Sequence, residues 1–167
     1  MATNIVSSAD KVLVSRHIFA DILQNVSNGQ KSLHATVSIT SGDAIIDFEA
    51  AFVLNHATYL TIQVAADKHI TLLPEFLQYT NHSCEPNVFF NTDTMELVCV
   101  KDIVPGDEIT FFYPSTEWEM AQPFVCSCGT TNCLQLINGA SQLTVETLSR
   151  YQLTDFIKQQ VRQKLSL

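Results

Sequence analysis

Apolar residues come in short runs along most of this chain. Residues 11–26, KVLVSRHIFADILQNV, open with an alternation that predicts a strand. Residues 33–39 and 44–48 are short, β-branched and separated by the turn residues Thr40–Asp43, which predicts two further strands. AFVLNH, TYLTIQV and HITLL continue the same style, and PEFLQYT has the length of one or two helical turns. VFFNTDTMELVCV predicts a hairpin bending over Asn91–Thr94. Pro105-Gly106-Asp107 predicts a turn leading into the strand EITFFY. A sustained 3.6-residue period occurs only over 144–165, where Leu148, Tyr151, Leu153, Phe156, Ile157 and Val161 recur at three- and four-residue steps. The expectation is a mostly β body with a helical C-terminus.

With 167 residues, 46% of them hydrophobic and 16% charged, the chain holds enough apolar material for one cored domain, which excludes global disorder. The net charge of −8 argues against a protein that coats nucleic acid, since phosphate neutralisation needs clustered Lys and Arg. The charge is uneven: five basic and sixteen acidic residues up to Ser149, then four and one from Arg150 onward. An acidic body steers basic partners toward itself. No run reaches 18 apolar residues and the first residues lack a secretory pattern, so the expectation is a soluble intracellular protein, cytoplasmic or nuclear, with no membrane partner.

Under reducing conditions clustered cysteines point to metal before disulfides. Cys126, Cys128 and Cys133 form a C-x-C-x4-C cluster, one ligand short of a tetrahedral zinc site. Cys84 and Cys99 are the candidates for the fourth. Cys84 sits in the polar loop NHSCEPN and is preferred; Cys99 lies in the apolar run LVCV and reads as a small core residue.

Three strings then stand in one order: NHSCEPN, PGDEITFFY and CSCGTTNC. This order resembles the SET-domain protein-lysine methyltransferases with a post-SET zinc loop. The likeness is specific from Tyr79 to about Leu134 and traceable upstream from about residue 30. It implies the β-clip SET fold with a pseudoknot, divided as a 1–28 N-terminal extension packed on the domain, a 29–116 SET domain, a 117–140 zinc loop and a 141–167 C-terminal helix. It implies that Asn81 and His82 hold the adenosyl part of S-adenosylmethionine. By the same likeness Tyr113 is the catalytic tyrosine, and Phe111 sets the number of methyl groups added, a Phe there going with di- and trimethylation. Tyr59 lines the cofactor and lysine site, and Cys84 joins Cys126, Cys128 and Cys133 around one zinc ion. The family usually has Gly-x-Gly where its backbone meets the methionine part of the cofactor; here the segment is Gln30–Ala35, with Lys31 and Ser32 in its place. No cysteine precedes residue 84, so a pre-SET cluster is absent, and the stretch between Tyr59 and Asn81 is short.

The chemistry suits those residue types. A lysine of ordinary pKa about 10.4 must lose a proton before it attacks a methyl group, at a cost of roughly 4.6 kcal/mol at pH 7. Aromatic walls and a nearby sulfonium disfavour the ammonium and lower that cost. Strand alternation gives Phe111 and Tyr113 one face and Phe112 the other, so Phe112 is the core residue of the three. The expected activity is S-adenosylmethionine-dependent methylation of a lysine ε-amine on a basic protein or peptide. Two rival readings are a non-catalytic zinc-containing module that binds a lysine or small ligand, and an N-methyltransferase for a small molecule or peptide. The C-terminal helix packs on the body or pairs with a second copy.

Overall fold

The structure is a computed structural model that describes residues 10–166. Residues 1–9 of the N-terminal extension lie outside the described residues. The predicted short strands are present in order. β1 (Lys11–Arg16), β2 (Ala20–Asn25) and β3 (Lys31–Ala35) form an antiparallel sheet, so residues 11–25 join the body through β-pairing. β4 (Ala44–Asp47) borders a five-stranded sheet, and β5 (Glu49–Leu54), β6 (Ile62–Ala65) and β7 (Lys68–Leu73) form a three-stranded one in the order β5-β7-β6. A 3-10 turn, Glu75–Tyr79, follows Pro74 and buries Phe76 and Leu77.

The remaining strands place the chemistry. β8 (Asn81–His82), β9 (Val88–Asn91), β10 (Glu96–Cys99) and β11 (Thr110–Phe111) complete the five-stranded sheet in the order β4-β10-β9-β11-β8. β9 and β10 are the predicted hairpin, with Asn91 Oδ1 accepting from the amides of Asp93 and Thr94 at its bend. β11 runs parallel to both neighbours and lies between β8 and β9, which are consecutive in the chain. Residues 110–111 are therefore inserted between the two arms of the 81–91 segment. Asn87 locks the insertion: Oδ1 accepts from Thr110 N at 2.9 Å and Nδ2 donates to Glu108 O at 2.9 Å.

EITFFY does not stay extended to its end. β11 stops at Phe111, and Tyr113–Ser115 form a 3-10 turn, because Pro114 carries no N–H for a ladder and fixes its own φ. The expected sorting of side chains still holds. The Phe111 and Tyr113 rings touch, with centroids 4.7 Å apart, while Phe112 leaves for a second core where it stacks on Tyr151 at 3.6 Å and 4°.

The main core is fully apolar at Leu33, Ile70, Leu77, Phe90, Leu97, Ile103 and Ile109, each stabilising the fold by about 1.5–3 kcal/mol relative to exposure. Cys99 belongs to it. Beyond β11, β12 (Phe124–Val125) pairs with β13 (Leu136–Ile137) around the cysteine loop. The single helix predicted over 144–165 is two: α1 (Val145–Leu148) and α2 (Asp155–Leu165). Two caps explain the break. Thr144 and Thr154 accept from the amides of Thr147 and Ile157, so each starts its own helix. The Ser149 hydroxyl bonds Glu146 O, competing with helix continuation. The apolar stripe nonetheless faces the body: Leu148 and Ile157 are buried with Phe112, and Leu153, Phe156 and Val161 pack around them. The apolar side of the C-terminal helix is thus taken by the chain's own second core.

Candidate functional site

A cavity of about 940 Å³ runs along the junction of β3, β6, β8, β11 and the cysteine loop. Lys31, Ser32, Asn81, His82 and Tyr113 all line it, so residues far apart in sequence share one wall system. Phe111 lines its inner part with Ile62 and Phe90. Tyr59 also lines it but is 80% exposed, so it stands at the rim, whereas the phenol of Tyr113 is buried.

Asn81 ties two walls together. Its Nδ2 donates to Lys31 O at 3.0 Å and to Glu108 Oε1 at 3.1 Å. The Lys31–Ser32 backbone is thereby held at the cavity edge without glycine in either position. The glycine the turn does use is Gly29, with φ +72°, which closes the β2–β3 hairpin just before this edge. The Lys31 ammonium lies 5.0 Å above the Tyr79 ring, and the Ser32 hydroxyl is 2.9 Å from His34 Nε2.

His82 is the hinge between cavity and cysteines. Its ring packs among Phe112, Tyr113 and Phe124, at centroid distances of 5.2–5.7 Å. Nδ1 accepts the Tyr113 amide at 3.1 Å, so the proton of the neutral ring belongs on Nε2, which lies 3.4 Å from Cys84 Sγ. Burial holds its pKa down at about 4, leaving a neutral imidazole. The Tyr113 phenol is pushed up to about 12 by burial, then by the carboxylates of Glu108 and Glu117, and it stays protonated with Thr80 O at 3.5 Å. The cavity thus offers a fixed O–H donor beside an uncharged ring.

Behind His82, the Sγ atoms of Cys84, Cys126, Cys128 and Cys133 all lie within 4.8 Å of one another. A tetrahedral zinc with Zn–S of about 2.3 Å needs sulfurs about 3.8 Å apart, so the set fits one ion held by four thiolates. The surroundings suit thiolates: the Leu134 amide donates to Cys84 Sγ and the Cys128 amide to Cys126 Sγ, both at 3.4 Å. Burial pushes the Cys84 and Cys126 thiols up, a cost that a divalent cation offsets when it takes the thiolate.

The family model of the SET domain matches residues 29–114, just over half of the chain. The chain belongs to the SET-domain family. It is 40% identical over 129 residues to the methyltransferase flvH of Aspergillus flavus, covering 76% of this chain and 72% of that one. It is 39% identical over 69 residues to the histone-lysine N-methyltransferase set9 of Schizosaccharomyces pombe, across 40% of this chain and 15% of the relative. It is 26% identical over 119 residues to the H3 lysine-36 specific histone-lysine N-methyltransferase of Saccharomyces cerevisiae, across 68% and 16% respectively. The chain therefore spans most of the first relative and about one-sixth of the other two.

This SET domain carries site residues that no motif announced. Glu117, four residues past Tyr113, lines the cavity at 7% exposure, and burial raises its pKa to about 7 despite bonds from Gln63 N and Thr116 Oγ1. Lys11, on β1, lines the far end and reaches His34 Nε2 at 3.2 Å. Both lie in stretches whose spacing carries no chemical signature; only the fold brings them to the cavity.

Proposed function

We propose that this SET domain transfers a methyl group from S-adenosylmethionine to a lysine ε-amine of a protein or peptide, with Tyr113 as the residue that orients the amine. The observation that carries this reading is the shared cavity: a buried, protonated phenol stands beside Asn81 and His82, on a chain whose relatives are named methyltransferases. S-adenosylmethionine supplies an electrophilic methyl group when bound. Asn81, His82 and the Lys31–Ser32 edge would hold it, and Cys84, Cys126, Cys128 and Cys133 would hold a zinc ion that ties their two segments together. The chain's own work is positioning. Phe111, Ile62 and Phe90 form apolar walls that disfavour an ammonium, while the Tyr113 hydroxyl sets the amine in line. The acidic body draws a basic acceptor to the cavity mouth.

Purified protein, labelled cofactor and a panel of basic lysine peptides test this. Label should pass to peptide lysine with wild type and not with Tyr113→Phe, and a calorimetric titration should show cofactor binding by both. Absence of cofactor binding by the wild type ends the proposal.

A second acceptor class has its own support. Only the β6–β7 hairpin and one 3-10 turn separate Tyr59 from Asn81, leaving little chain to build a peptide groove, and the relative spanned over 72% of its length is named only a methyltransferase. A small primary amine is the acceptor on that reading. Mass spectrometry of the products from peptides and from free amines separates the two.

A further inference from the structure

Glu117 is one of two acids that line the cavity near Tyr113, Glu108 being the other, and its two oxygens differ. Oε1 accepts from Gln63 N at 2.8 Å and from Thr116 Oγ1 at 3.0 Å. Oε2 accepts from none of the described residues. Among the described residues the sealed, unpartnered side-chain atoms are His69 Nδ1 and Ser115 Oγ, so Oε2 is not sealed, on a residue that lines the cavity. The carboxylate is held rigidly. Gln63 Oε1 in turn accepts from Trp118 N at 3.0 Å, so β6 and the 117–118 segment clasp each other through two bonds. The Glu117 amide bonds Tyr113 O at 3.0 Å, which fixes the acid one turn away from the phenol.

We propose that Glu117 is a further catalytic residue: its Oε2 receives the acceptor ammonium at the inner end of the cavity and takes one proton from it before methyl transfer. The inference rests on the function proposed above. In the step, an N–H bond of the ammonium breaks and an O–H bond forms on Oε2, the electron pair staying on nitrogen. That pair then forms the N–CH3 bond as the C–S bond breaks, and its electrons remain on sulfur. The product leaves as a methylammonium, and the proton on Oε2 passes to water at the cavity mouth as the site reopens.

The electrostatics agree. A carboxylate titrating near 7 is matched to proton exchange at neutral pH, and transfer cancels two charges beside a side chain that is only 7% exposed. The titratable neighbours leave this role open. Tyr113 stays a neutral phenol, Glu108 acts on it from the β11 side, and His69, opposite Gln63 across the β6–β7 pair, is kept below its usual pKa by burial. A purely structural role would need only Oε1, which a glutamine carbonyl reproduces.

That difference sets the test. With a basic lysine peptide as acceptor, or n-butylamine where peptides fail, wild-type kcat/KM should rise through about pH 7 and then level. Glu117→Gln should bind the cofactor as wild type does but lose on the order of 10²-fold in kcat/KM at pH 7.5. Its profile should keep rising toward the lysine pKa of about 10. Glu117→Asp should restore the wild-type profile shape at a reduced rate. A Glu117→Gln protein with wild-type rate and profile overturns the inference and leaves the methyltransferase reading intact. Should Glu117→Gln not fold, the wild-type profile decides alone: a limb near 7 supports the proposal, and a single limb near 10 overturns it. A wild type that methylates no amine at all removes the function and this inference together.

Discussion

The backbone amide of Tyr113 donates to Nδ1 of His82 at 3.1 Å, and the other nitrogen of that ring faces Cys84 Sγ at 3.4 Å. One imidazole therefore links the strand end that carries the phenol to the loop that carries the first sulfur. Because the bond runs through the Tyr113 backbone, the side chain can be changed without loosening the link. Tyr113→Phe should lower methyl transfer by at least about 10²-fold through loss of amine positioning. Its melting point should stay near wild type, since the hydroxyl makes one long bond, to Thr80 O at 3.5 Å, worth about 1 kcal/mol or less. Parallel kinetics and thermal melts check both halves.

The sulfur set predicts metal dependence. Metal analysis should find about one zinc per chain, as a closed site of four thiolates requires. A strong chelator, or Cys84→Ser, should free the remaining thiols to a colorimetric reagent and loosen β12 and β13, two-residue strands that pack in the same small cluster as the sulfurs. Amide exchange across residues 124–137 reads the loss directly. A metal-free sample with those amides still protected contradicts this expectation.

Glu117 also makes a stability prediction separate from its chemistry. Its folded pKa of about 7 lies above the ordinary carboxylate value of about 4.3, so the native state holds the proton more tightly than the unfolded chain. The stability this acid contributes is complete below about pH 4.3 and is lost as pH rises through 7, on the order of 3 kcal/mol in all. Glu117→Gln should therefore match wild type in urea melts at pH 4 and exceed it at pH 8.

Phe111 is buried against Phe90, with centroids 4.8 Å apart, and against Tyr113 at 4.7 Å. A hydroxyl added there enters the inner wall of the cavity and takes room from a methylated amine. Phe111→Tyr should shift products toward monomethylation, which intact mass of a reacted peptide shows.

Gly139 adopts φ +99°, and a Cβ at that position would meet Trp118 O at 2.5 Å and Glu119 Cα at 2.8 Å. Both contacts are with backbone that cannot swing away, and the 140 and 141 amides bond the carbonyls of Glu117 and Trp118. Gly139→Ala should cost about 1–3 kcal/mol in chemical unfolding and move the Glu117 segment, lowering activity along with stability.

Much of the site was legible in the sequence because its residues come in short contiguous strings. NHSC and CSCGTTNC carry their spacing in the order of their letters, and strand alternation sorted Phe111 and Tyr113 from Phe112 even though the strand itself ends early. Local patterns did not disclose the rest. The 144–165 period is that of one helix, and two threonine caps with a Tyr151 hydroxyl bond to Cys84 O at 2.8 Å divide it. Gln63 and Glu117 meet across 54 residues, with no composition or period to mark either. Tyr59 carries the motif position expected of a wall residue and stands at the rim with 80% of its surface in water.

Tyr151 lies well past the last residue that the family model matches, yet its ring covers Phe112 and its hydroxyl donates to the carbonyl of Cys84. The span of the SET-domain match and the boundary of cooperative folding are thus different lines on this chain. A fragment trimmed to residues 29–114 would keep every residue proposed to hold the cofactor but lose Cys126, Cys128 and Cys133, and would leave the Phe112 ring bare of Tyr151. Any minimal enzyme cut from this protein has to run through the second helix to behave as the whole does.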